Sequence, residues 1–380
     1  MERYEFHQRV WRLLYFLCSG WITRKFNLSH EDLQVEGPVL LIPNHVSAWD
    51  PLLVAMSLRR KHVYYVASEH LFRLGPVTKI LEALVAPIPR RKATTGSDTV
   101  KACLRHLRAG HSVCIFGEGE QCWDGRNIPV FPATGKLAKS SGATLVTYRL
   151  EGGYLSCPRW GKGVRRGKVH GHPVGIYPPE ELKKLSAKQV NDLINRDIWE
   201  DAWQRQKTEK VLFRGKRRAE GLERALYLCP RCRRIGTLRT KNDRLYCGCG
   251  LELCYTESGL FAPEKPFSTI AQWEDWQRKA LKERSFPHKG DLLFSDGEIQ
   301  LSRIGSGHSE EKLGLGLLEQ HEEYLLCAGR RFPMREIRNM APVQSHLLLF
   351  LHEGEYYQLR TRNGANLRKY MEIWKELQGE

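Results

Sequence analysis

The chain has 380 residues, with 60 Lys and Arg against 43 Asp and Glu, a formal net charge of +17. That length suits two or three domains with a sizeable core, and the charge expects a polyanionic neighbour, either nucleic acid or an anionic membrane face. No uncharged apolar stretch reaches the roughly 18 to 20 residues that span a bilayer. Four of the eleven cysteines crowd at Cys229, Cys232, Cys247 and Cys249 with no cleavable signal peptide ahead of them, so a transmembrane chain and a disulfide framework are both set aside in favour of a reducing, cytosolic side.

In chain order, residues 3–26 predict a helix with Val10, Trp11, Leu13, Leu14, Leu17, Trp21 and Ile22 apolar, and Arg3, Arg9, Arg12, Arg24 and Lys25 at its polar boundary. Such a helix lies in a membrane interface, with tryptophans at headgroup depth and basic side chains reaching anionic lipid, or it docks on the protein's own core. Gly37-Pro38 then breaks the chain ahead of an apolar strand, Val39–Ile42. Asp50 before Pro51 and Leu52–Met56 reads as N-cap, N1 and helix, which places His45 and Asp50 on one strand-to-helix turn. If the turn folds the carboxylate onto one imidazole nitrogen, the tautomer is fixed and the other nitrogen is left to take a proton from a bound hydroxyl; otherwise Asp50 only caps the helix.

Val63–Ala67 predicts a second strand, and residues 81–90 a helix end running into a short strand that closes on Arg90, Arg91 and Lys92. An arginine fork suits a phosphate, although three adjacent cations also suit a solvated loop. An amphipathic helix over 97–109, closed by Gly110, leads to a strand at Ser112–Phe116, which delivers Gly117-Glu118-Gly119-Glu120-Gln121 to the same sheet edge as His45. The two glycines also fit a tight turn with one of them at positive φ. Residues 131–138 read as a loop entering a helix and 143–148 as a strand. Thr134-Gly135-Lys136 is not a phosphate-binding Walker loop, because Val130 and Leu137 stand where glycine and Ser or Thr are required. A strand over 169–176 and a helical stretch to about residue 207 complete an α/β alternation, a mixed sheet flanked by helices.

Several of these stretches share an order. Asn44-His45 with Asp50 resembles the Asn-His-x4-Asp block of the glycerolipid acyltransferase family, lysophosphatidate acyltransferase type, and the segment ending in Arg90 resembles its second block. Phe116, Glu118 and Gly119 match the family's Phe-Pro-Glu-Gly-Thr-Arg, whereas Gly117, Glu120 and Gln121 depart from it. Residues 131–138 and 143–148 resemble the closing blocks, so the resemblance covers about 28 to 210. It implies transfer of a fatty acyl group from acyl-CoA or acyl-ACP to the hydroxyl of a lysophospholipid, 1-acyl-sn-glycerol-3-phosphate first among them, in phospholipid biosynthesis. His45 would be general base and Asp50 its orienting partner, with Asn44, Arg90, Glu118, Gly119 and Gln121 binding substrate. Gln121 stands where the family has an arginine associated with the acceptor's phosphate, and Arg126 is the candidate substitute. A non-catalytic lipid-binding or scaffold protein on the same fold is the alternative.

A basic linker, Arg214–Arg218, closes this domain. Beyond it Cys229-Pro-Arg-Cys232 and Cys247-Gly-Cys249 predict a ribbon whose four thiolates close a structural zinc site, with Cys254 in reserve. Trp273 and Trp276 fall on a connecting helix. From residue 291 short apolar runs at 292–294, 298–301, 323–327, 337–340, 346–351 and 356–359 precede a helix over 366–378, with Leu367, Tyr370, Met371, Trp374 and Leu377 on one face. That pattern resembles a pleckstrin-homology-like, β-barrel-like domain with a C-terminal helix. The expected domains are therefore 1–27, an interfacial helix; 28–213, acyltransferase; 225–258, zinc ribbon; 259–290, connector; and 291–380. The expected partners are a membrane surface with anionic lipid on its cytoplasmic face, the lysophospholipid and acyl carrier protein. Nucleic acid is not expected, because no basic cluster is interleaved with stacking aromatics.

Overall fold

Val39–Pro43 is buried at all five positions, as a run of apolar residues without alternation requires of a strand covered on both faces. It is the middle of the first of two compact units in the computed structural model, which describes residues 2–73, 75–91, 96–284, 291–305 and 309–379. The first unit extends to Gly215 without Trp160–Lys162, which group with the second. Its elements are α1 (Glu2–Phe26), β1 (Leu28–His30), β2 (Val39–Pro43), α2 (Asp50–Ala55), β3 (Val63–Ser68), α3 (Pro76–Leu84), β4 (Ile88–Arg90), α4 (Ser97–Arg108), β5 (Ser112–Cys114), α5 (Pro132–Ser140), β6 (Thr144–Glu151), α6 (Gly153–Ser156), β7 (Val169–Tyr177), α7 (Pro179–Lys184), α8 (Ala187–Ile198) and α9 (Ala202–Glu209). The sheet runs β1-β7-β6-β2-β5-β3-β4, parallel except between β6 and β7. Alternate residues of β2 serve opposite faces: Val39 and Leu41 pack with Ile22, Phe26, Leu53 and Val54, and Leu40 and Ile42 with Leu107, Leu137, Val190 and Ile194.

Helix α1 carries two apolar stripes. His7, Ile22 and Phe26 are buried, and the stripe is pinned by Trp11 Nε1 donating to the Leu58 carbonyl (2.8 Å) and the Tyr15 hydroxyl to that of Met56 (3.1 Å). Phe6, Leu13, Phe16, Leu17 and Trp21 face outward, Phe16 at 81% exposure. Docking on the core therefore accounts for one stripe only.

Under the first turns of α1 lies a group of imidazoles. His7 Nδ1 is 3.0 Å from the Tyr64 hydroxyl, and the Tyr64 ring lies 4.7 Å from His62 and 4.2 Å from His106 between centroids. Burial, with the neighbouring His7, His111 and His106 adding to it, holds His62 down at about 4. The unfolded chain takes this proton as pH falls below 6.5 and the folded one only near 4, so the stability is complete above 6.5 and lost as pH falls through about 4. The shift corresponds to about 3 kcal/mol at the acid end. His62→Gln is expected to flatten the acid limb of a stability profile measured by chemical denaturation between pH 7 and 4; an unaltered slope would refute the assignment.

The second unit contains β8 (Leu238–Lys241), β9 (Arg244–Cys247), β10 (Glu252–Tyr255), β11 (Phe261–Ala262), α10 (Ile270–Lys282), β12 (Leu292–Ile304), β13 (Glu310–His321), β14 (Tyr324–Cys327), β15 (Arg330–Pro333), β16 (Arg338–Val343), β17 (Leu347–His352), β18 (Glu355–Thr361) and α11 (Arg368–Gln378). The four short strands form one antiparallel sheet and β12 to β18 another, ordered β15-β14-β13-β12-β18-β17-β16. Leu367, Tyr370, Met371 and Trp374 pack on Ile299, Leu318, Phe350 and Leu359, and Trp273 is core, its Nε1 donating to the Leu228 carbonyl at 3.0 Å.

The structure corrects the reading of this region in three places. The runs at 292–294 and 298–301 are one strand whose register shifts at 292/294 and 296/299 break the alternation. β13 and β15 were not expected, because Gly314 and Gly316 dilute one and Arg330, Arg331 and Pro333 mask the other. Among the described residues β15 and β16 do not pair with each other, so the sheet has two ends and no hydrogen-bonded barrel closure.

Candidate active site

Because β2 lies between β5 and β6 in parallel register, the chain leaving β2 meets the chain leaving β5 at one sheet edge. Asn44 secures the first of these exits. Its side chain accepts from Leu150 N (2.7 Å) and donates to the Leu150 carbonyl (2.9 Å), and the residue is fully buried. Asn44, expected to bind substrate, is instead a clamp between the turn and β6.

Asp50 is not the N-cap. Trp49 holds that position, in helical conformation and with no side-chain cap, and the Asp50 carboxylate points back into the turn. Its Oδ2 accepts from Val46 N (2.6 Å), Ser47 N (2.9 Å) and His45 Nδ1 (2.8 Å), and its Oδ1 from the Ser47 hydroxyl (2.6 Å). A carboxylate can only accept, so the imidazole proton sits on Nδ1 and Nε2 presents a lone pair. Nε2 takes no hydrogen bond among the described residues. The His45 side chain is 17% exposed and its ring stacks on Phe116 at 4.3 Å.

Glu118 is a support as well. Oε1 accepts from His45 N (2.7 Å) and Asn127 Nδ2 (2.6 Å), and Oε2 from Ile128 N (2.9 Å). Burial pushes its carboxyl up to about 8, with the Asp50 charge adding, against three donors that favour the ionised form. At 2% exposure it holds the histidine's backbone and does not face a substrate. Gly119 has φ +75°, a Cβ there would lie 2.2 Å from the Phe131 ring, and its N–H donates to the Phe116 carbonyl at 3.0 Å. That amide is engaged in the turn, which removes it as an oxyanion donor. Serine 47 and Asn127 escaped the sequence reading; Ser47, two residues past the histidine in a turn, was findable as a local hydroxyl-to-carboxylate bridge, and Asn127 had no signal.

The cations sort differently from expectation. Arg126 is paired with Asp124, Nε to Oδ2 at 2.8 Å, so it does not substitute for a charge at Gln121. Arg159 reaches that position: Nη1 donates to the Gln121 carbonyl (2.6 Å) and to Glu120 Oε2 (3.0 Å), with the guanidinium 3.9 Å over the Trp123 ring. Arg90 ends β4, and its Nη1 donates to the Arg91 carbonyl at 3.0 Å. Arg91 makes a bidentate pair with buried Glu69 (2.9 and 3.1 Å), while Lys92 lies outside the described residues. β2 and β4 are three strand spacings apart, about 14 Å, which an arginine side chain and a headgroup must span between them.

Part of this unit is similar to a known family of sequences. Residues 25–151 match the Acyltransferase family model. The matched segment is about a third of the chain and contains the whole His45–Asp50 turn, Arg90 and Glu118. Among solved structures, the 1-acyl-sn-glycerophosphate (LPA) acyltransferase PlsC from Thermotoga maritima is 17% identical, with a TM-score of 0.39, over 55% of this chain and 79% of that one.

In the second unit, Cys229, Cys232, Cys247 and Cys249 bring one sulfur each to within 4.8 Å of the others. Cys229 and Cys249 are 3.7 Å apart at Sγ, and Cys232 and Cys247 3.8 Å. A tetrahedral ion with Zn–S of about 2.3 Å sets its ligand sulfurs about 3.8 Å apart. The donor set therefore fits zinc. Cys254, the reserve ligand, is on β10 opposite Ala262 and outside the cluster.

Proposed function

We propose that this chain is a membrane-surface O-acyltransferase that moves a fatty acyl group from the thioester of acyl-CoA or acyl-ACP to the hydroxyl of a lysophospholipid, with 1-acyl-sn-glycerol-3-phosphate as the leading acceptor. The observation that carries the reading is the His45 Nδ1 to Asp50 bond of 2.8 Å with Nε2 left open. Nε2 removes the acceptor's hydroxyl proton as the oxygen attacks the thioester carbonyl, and Asp50 stabilises the imidazolium so formed. The tetrahedral intermediate collapses to the ester, the C–S bond breaks, and the imidazolium returns its proton to the departing thiolate. The family match over 25–151 supports the reaction class.

Arg90 is the candidate anchor for the acceptor's phosphate. Arg90→Ala is expected to raise the acceptor KM by about 10- to 100-fold with little change in kcat, the size of one lost charge-assisted contact. An unchanged KM would remove this role. The outward stripe of α1, with Phe16, Leu17 and Trp21 exposed and Lys25 Nζ 4.4 Å over the Trp21 ring, supports a peripheral seat on anionic lipid, for which the cytoplasmic face is the proposed side. None of the described helices is long and apolar enough to cross a membrane. The four-cysteine cluster is proposed to hold one structural zinc in a ribbon, and the sheet with α11 is proposed as pleckstrin-homology-like. Metal analysis is expected to find about one zinc held by these thiolates. Cys232→Ser with Cys247→Ser is expected to lose it together with the protection of β8 to β10 from hydrogen exchange, and retained zinc in that variant would rule out the assignment.

The deciding experiment is radiolabelled acyl transfer on liposomes, with both donors, against a panel of lysolipids. Incorporation into none of them would overturn the enzyme and leave a lipid-binding scaffold.

A further inference from the structure

Strands β1, β7 and β6 lie side by side with Ser29, His170 and Glu151 in register, and His30 opposite Gly171. The strand period of two puts His170 and His172 on one face with Ser29 and with Glu31, whose N–H donates to the Gly171 carbonyl at 3.0 Å. The two imidazoles stack at 5.0 Å and 21°.

His172 Nδ1 is 3.2 Å from the Pro173 carbonyl and its Nε2 is 3.3 Å from Glu151 Oε1, and both neighbours can only accept. His170 Nδ1 is 2.9 Å from Ser29 Oγ, a hydroxyl that also reaches the Val169 carbonyl at 3.4 Å. Both Nε2 atoms thus face carboxylates: Glu31 Oε1 at 3.8 Å from His170, and Glu151 Oε1 at 3.3 Å from His172. A proton on the imidazole or a shared metal ion satisfies such a pair, and in the second case Nε2 offers its lone pair and the carboxylate an oxygen. Glu151 is also paired with Arg205 Nη2 at 2.7 Å, whereas Glu31 is 61% exposed.

We propose that His170, His172 and Glu31 bind a borderline divalent cation of the zinc, nickel and copper class. One ligand atom from each lies within 4.8 Å of the others, and modest side-chain rotations bring them to the roughly 2.0 to 2.2 Å metal distances that imidazole and carboxylate adopt. Ser29 and the Pro173 carbonyl serve as the outer hydrogen-bond partners that orient metal-binding histidines. The site ties β1 to β7 and is separate from both His45 and the four cysteines, so it stands whether or not the chain transfers acyl groups.

The test uses the full chain with its thiolate site first filled with zinc, titrated with Ni²⁺ alone in a calorimeter. One further equivalent is expected to bind. His170→Ala and His172→Ala should each weaken it by more than tenfold and Ser29→Ala by about tenfold, while His321→Ala leaves it unchanged. Melting temperatures without nickel establish that the variants are folded. In the unmutated chain, paramagnetic Ni²⁺ should broaden the Cε1 proton signals of two histidines ahead of all others. No nickel uptake by the zinc-filled wild type, uptake indifferent to both histidine substitutions, or uniform broadening of all histidines would overturn the site and leave two imidazolium–carboxylate pairs.

Discussion

His45→Ala is expected to lower the rate of acyl transfer by a factor of 10² to 10⁴, the range attributable to one positioned general base, with the fold intact. The two halves of this expectation rest on different contacts. Loss of the imidazole removes the lone pair at the mouth of β2 that the Asp50 carboxylate orients. Asp50, however, keeps Val46 N, Ser47 N and the Ser47 hydroxyl, so the turn retains its anchor and no buried donor is orphaned. Asp50→Ala inverts the balance, since three buried donors lose their acceptor at once and the turn itself is destabilised. The measurement is kcat under saturating donor and acceptor, alongside a thermal melt. Turnover by His45→Ala within tenfold of wild type would remove the general base, and a collapsed melting curve would remove the claim that the turn stands without it.

What the sequence displays is proximity along the chain, and the turn at His45 is legible for that reason: four residues separate the histidine from its aspartate, and the apolar run before them has to be a covered strand. The direction of a side chain is not displayed. Asp-Pro ahead of an apolar helix is written identically whether the carboxylate caps the helix or folds back onto the preceding turn, and only the four donors at 45–47 decide between them. Asn44 and Glu118 show the same limit from the other side. Polar residues beside a reactive histidine invite a substrate role, yet the deepest positions of the edge are where unpaired backbone groups have to be satisfied, and both side chains do that work. Arg159 was out of reach altogether. It lies 38 residues from Gln121, and a buried arginine stacked on Trp123 reads in the sequence like any other member of a basic, glycine-rich stretch. In the second unit the long strand β12 was cut in two by its own bulges, and β13 and β15 were hidden by glycine and charge, because a period of two is recognisable only where the register is unbroken.

Glu274→Ala is expected to destabilise the second unit by about 3 to 5 kcal/mol, the cost of leaving a buried charge without its partner. The carboxylate and Arg368 are 2% and 1% exposed. Arg368 Nη1 donates to Glu274 Oε2 at 3.0 Å and to the Ala225 carbonyl at 2.9 Å, its Nε donates to Glu372 Oε1 at 3.0 Å, and Arg278 reaches Glu274 from the next turn of α10. The cluster joins α10, α11 and the segment ahead of Cys229. Burial alone would raise the Glu274 carboxyl, but Arg368 and Arg278 hold it down at about 2 against an ordinary 4.5. Its contribution is thus present above pH 4.5 and lost as pH falls through about 2, a window below that of His62 in the first unit. Opening free energies from hydrogen exchange of α11 amides should therefore decline toward pH 2 in the wild type and not in Glu274→Ala. Replacing both partners with apolar residues, Glu274→Leu with Arg368→Met, should recover a large part of the loss, because the desolvation penalty disappears with the charges. A single variant within about 1 kcal/mol of wild type would show that the remaining acceptors, Glu372 and the Ala225 carbonyl, satisfy Arg368 on their own.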